Sequence, residues 1–218
     1  MIIHLMNLKS HEHSETAGRR EREKLRRAQD ILSAAERVFA IHGFDAATIE
    51  QIAQEAEYAA GTIYLYFKDK HALYAALIAS KLSSMVDQVE KAAQEAAPAD
   101  PANKLRNAIK AQFEFHDHNR EFFEVLMRHH KGPPPAGTRD WKLIEQTLKR
   151  HHTILVSLIE QSQRRKLIRQ GSSTDFATAL VGMVVHLTRF AMKDGQQPLA
   201  AKTDFVFQLF MTGAQRTR

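Results

Sequence analysis

The sequence has no cysteine, little glycine or proline, and no long apolar run. Without cysteine, the 218-residue chain cannot form disulfides, thiolate metal sites or a cysteine nucleophile, and this composition is consistent with a cytoplasmic protein. The N-terminal segment lacks the basic and apolar regions of a signal peptide. The longest apolar stretch of the C-terminal half, residues 179–185, is far too short to cross a bilayer. We therefore expect no membrane partner.

Motifs of catalysis and metal binding are missing as well. The sequence contains no phosphate-binding glycine loop, no G-x-S-x-G motif and no cysteine–histidine pair. Its twelve histidines include the adjacent pairs His129-His130 and His151-His152, but no H-x-x-x-H or H-E-x-x-H spacing suited to a metal. We therefore predict no enzyme activity, no metal site and no cofactor. A helical-bundle enzyme is the remote alternative from a different class, because carboxylates are plentiful.

Residues 48–67 (TIEQIAQEAEYAAGTIYLYF) have the pattern of a helix-turn-helix, in which two short helices are joined by a tight turn. Thr48 and Gln51 form a predicted capping box at the start of the first helix. The apolar stripe of that helix consists of Ile49, Ile52, Ala53 and Ala56. The second helix turns Ile63 and Phe67 inward and keeps small and polar residues outside. Such a second helix enters the major groove of DNA.

Two longer helices flank this pair and would complete a three-helix unit. The first has an apolar face from Leu25 to Phe39 and ends at Gly43, because glycine readily adopts the left-handed backbone of a helix end. Asp69 caps the next helix. The outward residues of the short second helix and its continuation are Gly61, Thr62, Tyr64, Tyr66 and Lys70. Hydroxyl groups can bond phosphate oxygens and base edges, and Lys70 adds positive charge.

Residues 35–73 (AERVFAIHGFDAATIEQIAQEAEYAAGTIYLYFKDKHAL) resemble the DNA-binding domain of the TetR family of bacterial transcriptional repressors. The matching positions are Phe39, Gly43, Thr48, Ile52, Ala53, Ala56, Gly61, Tyr64, Tyr66, Phe67, Lys70 and Leu73. The resemblance implies an all-α homodimer with a double-stranded DNA operator and a C-terminal domain that binds a small-molecule inducer. The predicted DNA-binding residues are Thr48, Ala60, Gly61, Thr62, Tyr64, Tyr66 and Lys70. A helix-turn-helix activator, or a regulator without an inducer, is the nearer alternative.

Two residues depart from the family pattern in the turn of the helix-turn-helix. Glu57 stands where the family usually has glycine, and Ala59 stands where serine or a similar residue caps the recognition helix. Each departure costs about 1 kcal/mol of stability. A carboxylate at Glu57 would also weaken binding to phosphates. The departures leave the predicted fold unchanged.

The net charge of +6 does not by itself indicate nucleic-acid binding, because the charge is unevenly distributed. Residues 1–75 hold ten basic and eleven acidic side chains, so the DNA-binding part is not basic on average. It does contain one basic run at residues 19–27 (RREREKLRR). By resemblance, such an arm contacts phosphates or the minor groove. A solvated ladder of i,i+4 ion pairs is an equally natural interpretation.

The predicted organisation has three parts and about nine helices, without strands. Residues 1–18 are polar, lack periodicity and are expected to be disordered. The DNA-binding domain is predicted at residues 24–85, and the ligand-binding and dimerisation domain at residues 86–218. Helices in the latter are predicted to begin at Asp100-Pro101 and at Asn119, and to cover about residues 140–169, 173–193 and 199–214.

The C-terminal part is rich in phenylalanine and methionine, which suit an apolar cavity between helices. The predicted ligand-binding residues are Phe113, His116, Phe123, Met127, Leu155, Met183, Leu187 and Phe190. The same residues could instead pack as an ordinary core. His116 is the expected polar anchor, because it lies one helical step beyond Phe113. Basic residues at 128–131 and 149–152 would suit an apolar inducer with an anionic head, such as a fatty acyl derivative, or are plain surface.

The last two predicted helices are apolar on more than one face. One face of the first consists of Phe176, Leu180, Val184 and Leu187, and another of Val181, Val185 and Met192. One face can pack on the chain's own core, so the other needs cover, and large uncovered apolar patches mark interfaces. By resemblance, both helices pair with those of a second copy to form a four-helix bundle. We therefore expect a homodimer.

Overall fold

The computed structural model describes residues 15–95, 100–129, 139–194 and 198–213. These ranges contain nine α-helices, one short 3-10 helix and no strand, which confirms the predicted all-helical fold. The helices are α1 (Glu15–Ala46), α2 (Ile49–Glu55), α3 (Ala60–Tyr66), α4 (Lys70–Glu95), α5 (Pro101–His118), α6 (Arg120–His129), α7 (Arg139–Arg164), α8 (Ser173–Asp194), η1 (Leu199–Lys202) and α9 (Thr203–Gly213).

The chain forms two compact units that divide between Leu77 and Ile78, within α4. Our predicted boundary after Met85 lies further along the same helix. At the N terminus, α1 begins at Glu15, so residues 15–18 are helical and not disordered as expected. Residues 1–14, the rest of that expected disordered arm, lie outside the described part of the chain.

The first unit is built around the helix-turn-helix. Its core contains the fully buried side chains of Ile31, Phe39, Ile52, Ile63 and Leu73, which come from α1, α2, α3 and α4. Gly43 has a φ of 74° and interrupts the helical backbone of α1. A positive φ is inexpensive only for glycine. The chain can therefore change direction at the predicted position, make one more turn to Ala46, and enter α2.

The ends of α2 follow from local hydrogen bonds. The Thr48 hydroxyl accepts from the backbone N–H of Gln51 at 3.2 Å, and Gln51 Oε1 accepts from the backbone N–H of Thr48 at 2.9 Å, which confirms the capping box. At the other end, Glu57 has a φ of 58°. The Glu57 N–H donates to the Gln54 carbonyl at 3.1 Å, and the Tyr58 N–H donates to the Ala53 carbonyl at 2.9 Å. This Schellman pattern normally places glycine where Glu57 stands.

A second Schellman motif ends α7 earlier than predicted. The helix stops at Arg164, whereas the sequence indicated about residue 169. Lys166 has a φ of 59°, and its N–H donates to the Gln163 carbonyl at 2.9 Å. The N–H of Leu167 donates to the Ser162 carbonyl at 3.0 Å and completes the motif. Sequence reasoning placed the end too late because a lysine occupies the position that glycine usually marks.

The second unit is organised around α5, which packs against α6, α7, α8, η1 and α9. Asp100 caps α5 by accepting from the backbone N–H of Ala102 at 3.0 Å, and Pro101 occupies the first turn, as predicted. The Asp117 carboxylate accepts from the backbone N–H groups of Leu199 and Ala200 at 2.8 and 2.9 Å, which begins η1. The single last helix that we predicted is therefore η1 followed by α9.

Asn119 was predicted to cap α6 but its side chain serves the preceding helix. Its Nδ2 donates to the Phe115 carbonyl at 2.8 Å, at the end of α5. Its Oδ1 accepts from Lys81 Nζ at 2.7 Å. The residue therefore joins the end of α5 to α4. Among the described helices, none has both the length and the apolar character required to span a membrane.

Candidate nucleic-acid interface and ligand site

The outward face of α3 is formed by Gly61, Tyr64 and Leu65, all of which are exposed. Tyr64 is 53% exposed and Leu65 is 80% exposed, whereas Ile63 between them is fully buried. A Cβ atom added at Gly61 would meet no atom within 4 Å, so packing does not require glycine there. The bare backbone at Gly61 allows another molecule to approach α3 closely.

The other predicted contact residues surround this face. Thr62, Tyr66 and Ala60 are half-buried on α3, and Thr48 is exposed at the start of α2. The Thr48 hydroxyl accepts its capping hydrogen bond and retains its own hydrogen as a donor. A donor at a helix N-terminus is suited to a phosphate oxygen. The structure thus places four side chains with polar or small character around the α3 face.

Lys70 was predicted to face outward, but its ammonium group bonds to the backbone of its own unit. Its Nζ donates to three backbone carbonyls at the end of α1 and in the following turn: Phe44 at 2.7 Å, Asp45 at 3.0 Å and Ala47 at 2.8 Å. The same ammonium lies 4.7 Å from the centroid of the Phe44 ring. An ammonium has three hydrogens, so these bonds use all of them. In this structure Lys70 ties the start of α4 to the end of α1.

The basic run of the first helix lies beside α3. Side chains from the two helices line one open groove: Arg19, Arg20, Glu23, Lys24, Arg27, Leu65 and Tyr66. The i,i+4 ladder is also present, with Arg27 Nε 3.0 Å from Glu23 Oε1 and Arg26 Nε 3.9 Å from Asp30 Oδ2. The run is helical and not an extended arm. The charged side chains of this run therefore lie next to the exposed face of α3.

The two departures in the turn have the expected structural effects. Glu57 is exposed with a positive φ, and Ala59 begins α3 without a side-chain hydrogen bond. Other contacts hold the turn in place. Tyr58 Oη donates to Asp30 Oδ2 at 3.1 Å, and Arg37 Nε lies 2.5 Å from Glu55 Oε1, so α1 is connected to both sides of the turn.

Four of the predicted ligand-binding residues lie in the interior of the second unit. These are Phe113, His116, Phe123 and Leu155, each of which is at most 6% exposed. The His116 ring meets the edge of Phe123 with a centroid distance of 4.4 Å. Met183 and Leu187 on α8 are half-buried. The side chain of Met127 lies outside the described residues.

Phe190 was predicted to lie in this interior, but the prediction is wrong because 61% of its side chain is exposed. It lies on a different side of α8 from the buried Leu180, Val184 and Thr188, which follow one another at four-residue spacing. Further exposed apolar side chains on α8 and α9 are Val185, Phe205 and Leu209. Phe190 therefore belongs to an apolar surface and not to the core.

Two buried histidines give the interior of the second unit neutral polar groups. Burial lowers the pKa of His116 to about 4, although the Gln112 backbone and Asp117 act in the opposite direction. Burial likewise lowers the pKa of His151 to about 4. Neither His116 Nδ1 nor His151 Nε2 has a partner with hydrogen-bond geometry among the described residues, although the Gln112 backbone is close enough to favour the charged form of His116. Both rings are therefore uncharged near neutral pH and retain an unused polar nitrogen.

His151 was predicted as part of a cationic group, and the structure corrects this. The side chain is 3% exposed, on the buried face of α7 that also carries Thr147. Arg150, its neighbour in the same predicted group, is ion-paired with Asp87 at 2.6 Å and also with Glu90. Neither residue is a free surface cation. A helical wheel alone could have placed His151 with Leu155 and Leu158, because these positions follow at helical spacing.

Comparisons with known proteins cover both units. Residues 31–77 match the family of bacterial regulatory proteins called the tetR family, and residues 98–214 match the tetracyclin repressor-like C-terminal domain. The second match alone spans more than half of the 218-residue chain. The chain belongs to the TetR family.

Two of the proteins that resemble this TetR-family protein match it over most of its length, and a third matches it over less than half. A fatty acid metabolism regulator protein of Bacillus subtilis is 26% identical over 196 residues, which cover 88% of this chain and 97% of that protein. The solved structure of the regulator FadR from Bacillus subtilis in complex with stearoyl-CoA superposes with a TM-score of 0.73 at 24% identity, and covers 85% of this chain and 98% of that one. The transcriptional activator FasR of Mycolicibacterium smegmatis is 30% identical over 101 residues, 46% of this chain and 45% of that protein.

The TetR-family protein is thus a helix-turn-helix transcriptional regulator, and sequence reasoning missed three features of it. Leu65 was not assigned a role, although its position next to Tyr64 on α3 could have identified it as part of the outward face. His151 was assigned to the surface. The position of the basic run beside α3 required the packing of α1 on the helix-turn-helix. In the described residues, no group of three or more histidines and carboxylates is placed to hold a metal ion.

Proposed function

We propose that this TetR-family protein is a homodimeric repressor that leaves a palindromic operator when a small, largely apolar ligand binds its C-terminal unit. The ligand-binding part of this proposal rests on the interior of that unit. It combines packed aromatic rings with two neutral histidines, each of which has one ring nitrogen without a hydrogen-bond partner among the described residues. Ligand sites are mostly apolar with a few converging polar groups.

The polar groups favour a particular kind of ligand. A neutral imidazole offers one N–H donor and one acceptor nitrogen, so it pairs with an uncharged carbonyl better than with a buried anion. Long-chain fatty acyl derivatives combine an apolar chain with such a carbonyl. One relative is named a fatty acid metabolism regulator protein, and the similar structure of the regulator FadR holds stearoyl-CoA, so both support the same class. We infer a long-chain acyl thioester as the ligand.

The proposed dimer uses α8 and α9. Val185 and Phe190 on α8 and Phe205 and Leu209 on α9 are each at least 45% exposed. Pairing of this surface with a second copy would remove these side chains from water. A dimer reads a palindromic site when its recognition helices match successive major grooves, about 34–36 Å apart or a multiple of it. A ligand that binds better to dimers of another geometry would release the DNA.

A titration with operator DNA tests the proposal. A duplex selected by this protein from random DNA is labelled, and binding is followed by fluorescence anisotropy with stearoyl-CoA, butyryl-CoA or free CoA added. We expect stearoyl-CoA to raise the apparent Kd and the other two compounds to leave it unchanged. Equal effects of all three compounds, or none, would refute the acyl ligand. Sedimentation at micromolar concentration should show a dimer, and a Phe205→Ser variant should shift it towards monomer.

Activation of transcription is the second candidate, because FasR of Mycolicibacterium smegmatis is named an activator. The matched part covers less than half of that protein. A reporter gene placed behind the selected operator and its native promoter separates the two functions. Removal of the regulator should raise expression if it represses and lower expression if it activates.

A further inference from the structure

Leu65 is an exposed aliphatic side chain near the C-terminal end of α3 (Ala60–Tyr66). It is 80% exposed, the highest value among the exposed large apolar side chains of the described residues. Gly61 lies one helical turn before Leu65 on the same face, and the adjacent Tyr64 is also exposed. Ile63 and Phe67, which hold α3 on the core, lie on the opposite side and are buried. Leu65 therefore contributes little to the packing of its own unit.

The surroundings of Leu65 indicate what it meets. It lines the open groove together with Tyr66 and the basic side chains of α1, including Arg19, Lys24 and Arg27. Contacts from basic residues to phosphates position a protein on DNA but carry no sequence information directly. With phosphates bound along α1, the outward face of α3 meets base edges. Leu65 would then be enclosed in a DNA groove when the complex forms.

A leucine cannot form a hydrogen bond with a base. In the major groove, the one apolar group that a base pair presents is the C5-methyl group of thymine. We propose that Leu65 is a specificity-determining residue that recognises a thymine methyl group in each half of the operator. The proposal rests on the assigned function of this chain as a DNA-binding regulator. It adds a base preference that hydroxyl contacts from Thr62 or Tyr64 would not provide.

The methyl contact can be removed from either partner without changing a hydrogen bond. Deoxyuridine differs from thymidine only by that methyl group, and Leu65→Ala removes the side chain from the protein. Burial of one methyl group corresponds to about fourfold in affinity for each half-site. The duplex is the selected operator, with deoxyuridine replacing thymidine at one position of both half-sites in turn.

We expect one thymine position at which deoxyuridine weakens DNA binding by the wild-type protein and does not change DNA binding by Leu65→Ala. At all other positions the two proteins should respond equally. Leu65→Met retains an apolar side chain and should keep part of the preference. Ile41→Ala is the matched control, because Ile41 is 76% exposed on α1 and not on α3. This control should respond to deoxyuridine as the wild type does.

The outcomes separate this inference from the proposed function. If the wild-type protein binds the selected duplex but every deoxyuridine position affects wild type and Leu65→Ala equally, Leu65 does not recognise thymine. The same conclusion follows if Leu65→Ala binds the unmodified duplex as tightly as the wild type. If no DNA sequence is enriched or bound by the wild-type protein, the proposed DNA-binding function itself fails. Circular dichroism of Leu65→Ala confirms that the variant is folded.

Discussion

Replacement of Lys70 by methionine should destabilise the DNA-binding unit while leaving the salt dependence of DNA binding unchanged. The Lys70 ammonium accounts for three hydrogen bonds of 2.7–3.0 Å to the carbonyls of Phe44, Asp45 and Ala47. Two of these bonds are partly buried. Methionine keeps the length and apolar character of the side chain, so the variant removes mainly the charge and the donors.

The expected size of the effect follows from these contacts. A hydrogen bond to a charged group contributes about 1.5–3 kcal/mol, and a cation near carbonyls at a helix end adds about 0.3–1 kcal/mol. The site is half-buried, and water can replace part of the lost bonding, so we expect a loss of about 2 kcal/mol in the free energy of unfolding. In a unit of this size, that loss lowers the melting temperature by roughly 8–16 °C.

Urea unfolding measures the stability, and anisotropy at several salt concentrations measures the number of phosphate contacts. Lys68→Met is the matched control, because Lys68 is exposed and lies just before α4. This control should unfold like the wild type. If Lys70 instead contacted a phosphate, its replacement by methionine would remove that contact and make the salt slope shallower by about one unit. A Lys70→Met protein with wild-type stability and such a shallower slope would refute the structural role.

Three further variants test other sites. Ala59→Ser adds the missing cap to α3 and should raise the free energy of unfolding by about 1 kcal/mol in urea titrations; no gain would mean that the cap geometry is not reached. Tyr74→Phe should be as stable as the wild type or about 1 kcal/mol more stable, because the buried Tyr74 hydroxyl has no hydrogen-bond partner among the described residues and burial raises its pKa to about 12; a large loss would reveal a partner. His116→Asn should reduce the fall in stability with acidification. The folded pKa of His116 is about 4 against 6.5 when unfolded, so its contribution of about 3 kcal/mol is present above pH 6.5 and is lost as the pH falls towards 4. Equal pH profiles of wild type and variant would contradict a buried neutral His116.

Several features could be predicted because they depend on residues that lie close together in the chain. The capping box uses Thr48 and Gln51, three positions apart, and the structure reproduces both of its hydrogen bonds. Gly43 has the positive φ that only glycine adopts without strain. The buried positions Ile52 and Ile63 follow from helical periodicity. Family membership followed from the same local pattern.

The end of α7 shows where local reasoning fails. Lys166 adopts the positive φ of a Schellman motif, although lysine has no intrinsic preference for it. Contacts around the following turn hold it, since Gln163 Nε2 donates to the Arg169 and Gly171 carbonyls at 3.2 and 3.1 Å. The side chain of Gln163 thus connects the end of α7 to the segment that follows Lys166. A sequence pattern records these residues but not the bonds between them.

Helical periodicity and capping act within a few residues, so the amino-acid pattern was enough to predict the all-helical fold, the helix-turn-helix and its capping box. The surroundings of side chains that can be either exposed or buried became known only from the packing of distant segments. Lys70 bonds to a carbonyl 26 residues away, His151 is buried and neutral, and Phe190 faces outward. Charged, aromatic and imidazole groups are stable either in water or against suitable partners. Their roles therefore depend on which distant segments pack beside them, and helical spacing does not contain that information.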